Sequence, residues 1–81
     1  MKTAQKIIRS ATVLKSRIGR IEEIIKLTSA EIIKHGMSED QFIELLTDLG
    51  KGGCGLLSNE IDEIAYNVEK ETGVCFSNNI Y

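Results

Sequence analysis

The chain has 81 residues and a mass of 9.0 kDa, enough for one small domain that hides roughly 60 to 65% of the surface its unfolded form exposes. Hydrophobic residues make up 42% and charged residues 27%, with a net charge of −2, which excludes the polar, strongly charged composition of an intrinsically disordered chain. No uninterrupted apolar run exceeds three residues, as in Val74-Cys75-Phe76, far short of the roughly 18 to 20 residues a membrane span needs. Near the N-terminus, Ile7-Ile8 is followed at once by Arg9 and Ser10, so no signal-peptide h-region forms and a cytoplasmic protein is expected, with no membrane partner.

From residue 4 the apolar positions step by three and four: Ala4, Ile7, Ala11, Leu14, Ile18, Ile21, Ile25, then Thr28 and Ile32. That is an a/d seam held over about four heptads, and it outweighs the strand preference of a chain with 12 isoleucines. The spacing predicts a long amphipathic helix over 4–34, with Thr3 able to cap its start and Gly36 placed to end it. Gly19 falls on the outer face, where it costs about 1 kcal/mol in propensity without disturbing the seam. Thr28-Ser29-Ala30-Glu31 matches a capping box, so the helix either continues, bends or breaks near Thr28.

Ser38 and Gln41 form a second capping box, and Met37 with Phe42 has the spacing of a hydrophobic staple, so a second helix over 39–49 is expected, closed by Gly50. Its stripe is Phe42, Leu45, Leu46 and Leu49. A glycine-rich loop over 50–58 follows. A third helix is expected over 59–72, capped by Ser58 or Asn59, with Glu60, Asp62 and Glu63 at the positive end of its dipole and Gly73 at its close. The tail 73–81 keeps Phe76, Ile80 and Tyr81, which favours its docking on the helices. The fold class expected is therefore all-α: a single domain over 1–81, three helices in one chain, the first with a coiled-coil-like seam.

A continuous helix over 4–34 would be about 47 Å long, against a radius of gyration of about 12 Å for a compact chain of this size. Two short helices cannot cover such a rod, so the exposed seam is expected to be buried by another copy or by a partner protein, with Ile7, Leu14, Ile18, Ile21 and Ile25 as the oligomer interface.

Charge is divided unevenly. Residues 1–28 hold seven Lys/Arg against two Glu, a net of +5, and residues 29–81 hold three Lys against ten carboxylates, a net of −7. A helix-turn-helix reading fails because the second helix, which would enter the major groove, carries Glu39, Asp40, Glu44 and Asp48 and no basic residue. Those four residues suit instead a partner-binding acidic face that steers a basic protein. Direct nucleic-acid contact by Arg9, Arg17 and Arg20 is the alternative, although the basic positions ring the first helix rather than forming one stripe, and no aromatic is interleaved.

Chemistry is sparse. Gly50 to Gly55 satisfies GxGxxG in letters, but a helix precedes it where the dinucleotide fingerprint needs a strand. Cys54 and Cys75 have no CxxC spacing and only His35 beside them, so no zinc set is expected, and both read as small apolar side chains. A Cys54–His35 nucleophile pair has nothing local to orient it; His35 beside Gly36 is explained by the helix dipole. No catalytic residue, cofactor, metal or small-molecule substrate is expected. The functional expectation is a non-enzymatic regulator, inhibitor, antirepressor or adaptor that acts through protein contacts, its expected partners being a second copy and another protein.

Overall fold

A computed structural model describes residues 3–53 and 55–74. Among these residues the chain forms four α-helices, α1 (Thr3–Thr12), α2 (Arg17–His35), α3 (Glu39–Asp48) and α4 (Ser58–Thr72), with a π-helical turn over Leu49–Gly53 between α3 and α4. The class is all-α; the helix count is four where the periodicity led us to expect three.

The difference lies in the first helix, which does not run over 4–34. It stops at Thr12 and restarts at Arg17, and the break falls neither at Gly19 nor at Thr28. Local chemistry accounts for the position. Thr12 and Val13 are adjacent β-branched residues, which lowers helix propensity, and the Thr12 hydroxyl donates back to the Ile8 carbonyl at 2.6 Å. The chain then tightens, with the Leu14 N–H donating to the Ala11 carbonyl at 3.0 Å. Ser16 takes extended dihedrals and its Oγ accepts from the Gly19 N–H at 3.2 Å, an N-cap for α2. Arg20 closes the corner, its Nε donating to the Leu14 carbonyl at 2.6 Å.

The four-residue corner returns α1 antiparallel along α2, so that Thr3, Lys6, Ile7 and Ser10 face Leu27 and Glu31. Ala4, Ile7 and Ala11 are thereby buried. Covering a side chain the size of Ile7 contributes about 1.5 to 3 kcal/mol, and a straight rod would forgo it. The longest dimension is 30 Å and the radius of gyration 11.3 Å, so the 47 Å rod that motivated the oligomer seam does not exist.

Within α2, Ile24, Thr28 and Ile32 face the core and Thr28 is fully buried. The capping box expected at Thr28 does not form, because both Thr28 and Ser29 lie inside the continuous helix. Gly36, at φ +74°, ends α2, its N–H donating to the Ile32 carbonyl. At the start of α3 both bonds of a capping box are present, Gln41 N–H to Ser38 Oγ at 3.2 Å and Ser38 N–H to Gln41 Oε1 at 3.0 Å.

Phe42, Leu45 and Leu49 are fully buried and join Ile24, Ile64 and Val68 in one core. Gly50 does not terminate the helix; it lies inside the π-helical turn that carries the backbone to Gly53. Helix α4 begins one residue earlier than expected, at Ser58, with Leu57 in the N-cap position. Leucine has no acceptor to offer there, so the closure comes from Glu60, whose Oε1 accepts from the Leu57 N–H at 2.8 Å. Gly73 in the left-handed conformation ends α4. Cys54 and the tail from Cys75 onward lie outside the described residues.

Candidate protein-contact groove

Helices α2 and α4 run in the same general direction. Their starts are tied by Arg17, which donates to the Gly55 carbonyl at 3.2 Å and pairs with Glu60 at 3.5 Å. Further along, they flank an open groove of about 480 Å³ lined by Glu22, Ile25, Lys26, Ser29, Ala30 and Ile33 of α2, with Asn67 and Glu71 of α4. The groove follows from the α2 sequence. Ile21, Ile24, Thr28 and Ile32 form the core row. Ile18, Ile25, Ser29 and Ile33 form a second row, rotated by about one residue position around the axis, at the same helical spacing. The apolar surface of α2 is thus wider than its contact with α4 covers.

Small residues make the groove's middle. Ser29 and Ala30 fall between Ile25 and Ile33 and leave space where larger side chains would fill it. Ser29 is buried, and among the described residues its Oγ has no hydrogen-bond partner. A buried hydroxyl without a partner costs about 1 to 3 kcal/mol. At the two ends of the row stand Ile33, 71% exposed, and Ile18, 69% exposed. On the α4 wall, the Asn67 amide is held by donation to the Glu63 carbonyl at 2.8 Å.

The structure disperses the five residues expected to form one seam. Ile7 is buried at 5% exposure inside the chain and is corrected from an interface residue to a core residue. Leu14 is half-buried in the corner. Ile21 and Ile25 are partly buried against the core, and Ile18 alone of the five is fully on the surface. Only Ile18 and Ile25 share the second row of α2. Ile33 was missed because the heptad reading assigned Ile32 to the seam; the paired isoleucines at 24–25 and 32–33 were the available signal for two adjacent rows.

The other expected sites are placed as follows. Asp40, Glu44 and Asp48 recur every four residues along α3, Asp40 exposed and Glu44 and Asp48 half-buried, while Glu39 falls off that row. Asp48 lies 4.0 Å from Lys51. Arg17 and Arg20 are engaged within the chain as described, and Arg9 lies with Gln5, Ile8, Asp48 and Lys51 around a separate cleft. The three arginines therefore do not converge on one surface. His35 is exposed on the last turn of α2. Gly50 to Gly53 lie in the π-helical turn that follows α3, so a helix and not a strand precedes this glycine-rich stretch. Among the described residues no cluster of three His, Cys, Asp or Glu could hold a metal, and no helix is long and apolar enough to cross a membrane.

Comparison with protein-family models, with curated proteins and with solved structures found no match.

Proposed function

We propose that this protein is a small non-enzymatic regulator that acts by docking another polypeptide along the groove between α2 and α4. The observation that carries the reading is the second row of α2. Two isoleucines more than two-thirds exposed stand at the ends of a row with a half-buried Ile25 and a small-residue floor between them, an apolar strip of the kind that receives the apolar face of a docked polypeptide. Exposed aliphatic side chains scattered singly carry no such meaning; these share one helical row. The acidic row of α3, Asp40, Glu44 and Asp48, would favour approach of a basic partner over an acidic one. A second copy of the chain is one occupant the surface accommodates, now through α2 and α4 rather than through an N-terminal rod.

The test compares tagged wild-type protein with Ile33→Asp and Ile43→Asp in pull-downs from the native host after nuclease treatment. Ile43 is a surface isoleucine of α3, away from the groove. The expected result is a specific protein retained by wild type and by Ile43→Asp but lost with Ile33→Asp. Retention that vanishes with nuclease, falls steeply with salt and is abolished by Arg9→Glu would instead support the nucleic-acid alternative. Light scattering on the purified chain reports whether the groove is taken by a second copy.

A further inference from the structure

We infer that, when no other protein is bound, the second row of α2 is covered by a second copy of the chain, laid antiparallel about a two-fold axis that passes beside Lys26; this rests on the reading of that row as a polypeptide site. Spacing is the first support. Ile18 and Ile33, both more than two-thirds exposed, stand equally far on either side of the midpoint between Ile25 and Lys26, about 11 Å along the helix at 1.5 Å per residue. A two-fold contact is self-complementary, so a residue that meets a second one across it is met by that one in return. An antiparallel pair centred on this midpoint sets Ile18 of each copy on Ile33 of the other, at both ends together, with the half-buried Ile25 close to the axis.

Charge is the second support. Glu22 and Lys26 are exposed on the same face, and neither forms an ion pair among the described residues. In the antiparallel register Lys26 of one copy falls three residues, about 4.5 Å, from the level of Glu22 of the other. Two long side chains span that offset, and symmetry makes the pair twice. The ends agree. Glu71 lines the groove with Ile33, and at the level opposite Ile33 lies the start of α2 in the other copy, where the Arg17 side chain stays 53% exposed beside Glu60. A parallel pair would instead set Glu22 level with Glu22 and Lys26 level with Lys26, and like charges so placed repel. One helix face is a small contact, so the dimer is weak, with a dissociation constant of roughly tens of micromolar or more. A tighter partner protein dissolves it, and melts recorded at about 1 μM report the single chain.

The experiment is sedimentation equilibrium of the full chain over roughly 5 to 500 μM, for wild type, Ile33→Asp, Glu22→Lys, Lys26→Glu and the exchanged pair that carries both charge reversals. All three altered positions are exposed, and circular dichroism checks that each variant keeps its helices. The expected result is a wild-type dimer whose dissociation constant rises roughly tenfold or more in Ile33→Asp and in each single reversal, and returns to within about threefold of wild type in the exchanged pair. Restoration by exchange requires Glu22 and Lys26 to face each other across a two-fold axis; a loss of helix stability would not produce it. A wild-type chain that stays monomeric throughout, a dimer indifferent to Ile33→Asp, or an exchanged pair as weak as the single reversals would overturn the inference. The two readings fail separately. A monomeric chain that still loses its pull-down partner in Ile33→Asp keeps the site for another protein and removes the second copy, whereas the expected dimer with no protein retained in the pull-down keeps the second copy and removes the outside partner.

Discussion

Thr28 gives the sharpest test of how α2 sits in the fold. Its side chain is fully buried and, among the described residues, Oγ1 has no hydrogen-bond partner. Thr12 and Thr72, elsewhere in helices, donate to the carbonyls four residues back at 2.6 and 2.8 Å; Thr28 does not. Valine has nearly the same shape and a similar helix propensity, so Thr28→Val removes the hydroxyl and little else. An unpaired buried hydroxyl costs about 1 to 3 kcal/mol, and the substitution should raise stability by at least about 1 kcal/mol. For a chain of this length that corresponds to a thermal midpoint higher by about 4 to 8 °C, or, with a urea slope near 1 kcal/mol/M, a midpoint higher by about 1 M. Thr28→Ser, which keeps the hydroxyl and deletes a methyl, should lower stability by about 1 kcal/mol. Urea titrations followed by circular dichroism measure both. A lower midpoint for Thr28→Val would show that the hydroxyl is paired in solution and would refute the placement.

Three further predictions concern the folding-back of α1 and the start of α3. Ile7→Asp puts a carboxylate into the core at a site 5% exposed, and should cost more than about 3 kcal/mol, a large part of the total stability of so small a chain; Ile18→Asp, on the surface, should leave the circular dichroism melt within about 0.5 kcal/mol of wild type. The rod geometry would predict equal and drastic effects at both. Arg20→Met deletes the bond to the Leu14 carbonyl, and should lower stability by about 1 to 2 kcal/mol in chemical unfolding, with faster amide exchange at Val13 to Ser16 as its local signature. Ser38→Ala removes one half of the capping box ahead of α3 and should cost about 1 kcal/mol by the same assay.

Several elements were legible from sequence because their signals are local. The start of α3 is written in Ser38 and Gln41, which form their reciprocal bonds within four residues, and the close of α4 in Gly73. The corner after Thr12 was not legible from periodicity, for a physical reason. A helix that folds back on its successor turns the same a/d positions inward as a continuous helix with a partner does, so Ala4, Ile7 and Ala11 fit either arrangement. What separates the two is the pairing of Arg20 with the Leu14 carbonyl and of Ser16 with the Gly19 amide. The first spans six residues and has no repeating pattern. Gly19, read as an outer-face cost, is the residue whose N–H satisfies the cap.

The groove was half legible. A two-state choice of seam or surface gave Ile32 to the interior and left Ile33 unassigned, whereas α2 has two adjacent apolar rows and α4 covers only one. Ile25, expected in an N-terminal seam, belongs to the second row of α2. Residues such as Arg17 and Glu60, 43 positions apart in sequence, show why the charge asymmetry between the two halves was ambiguous: part of it is resolved within the chain, where helix starts meet.

The account's central claim is that the second row of α2 engages another stretch of polypeptide. A photo-crosslinking amino acid placed at position 33, with a control at position 43, tests it most directly when the protein is irradiated in its native host and the adducts are identified by mass spectrometry. The account predicts a discrete adduct to one partner protein that forms from position 33, is absent from position 43 and is lost on adding Ile25→Asp. Adducts equal at both positions and indifferent to Ile25→Asp would contradict it.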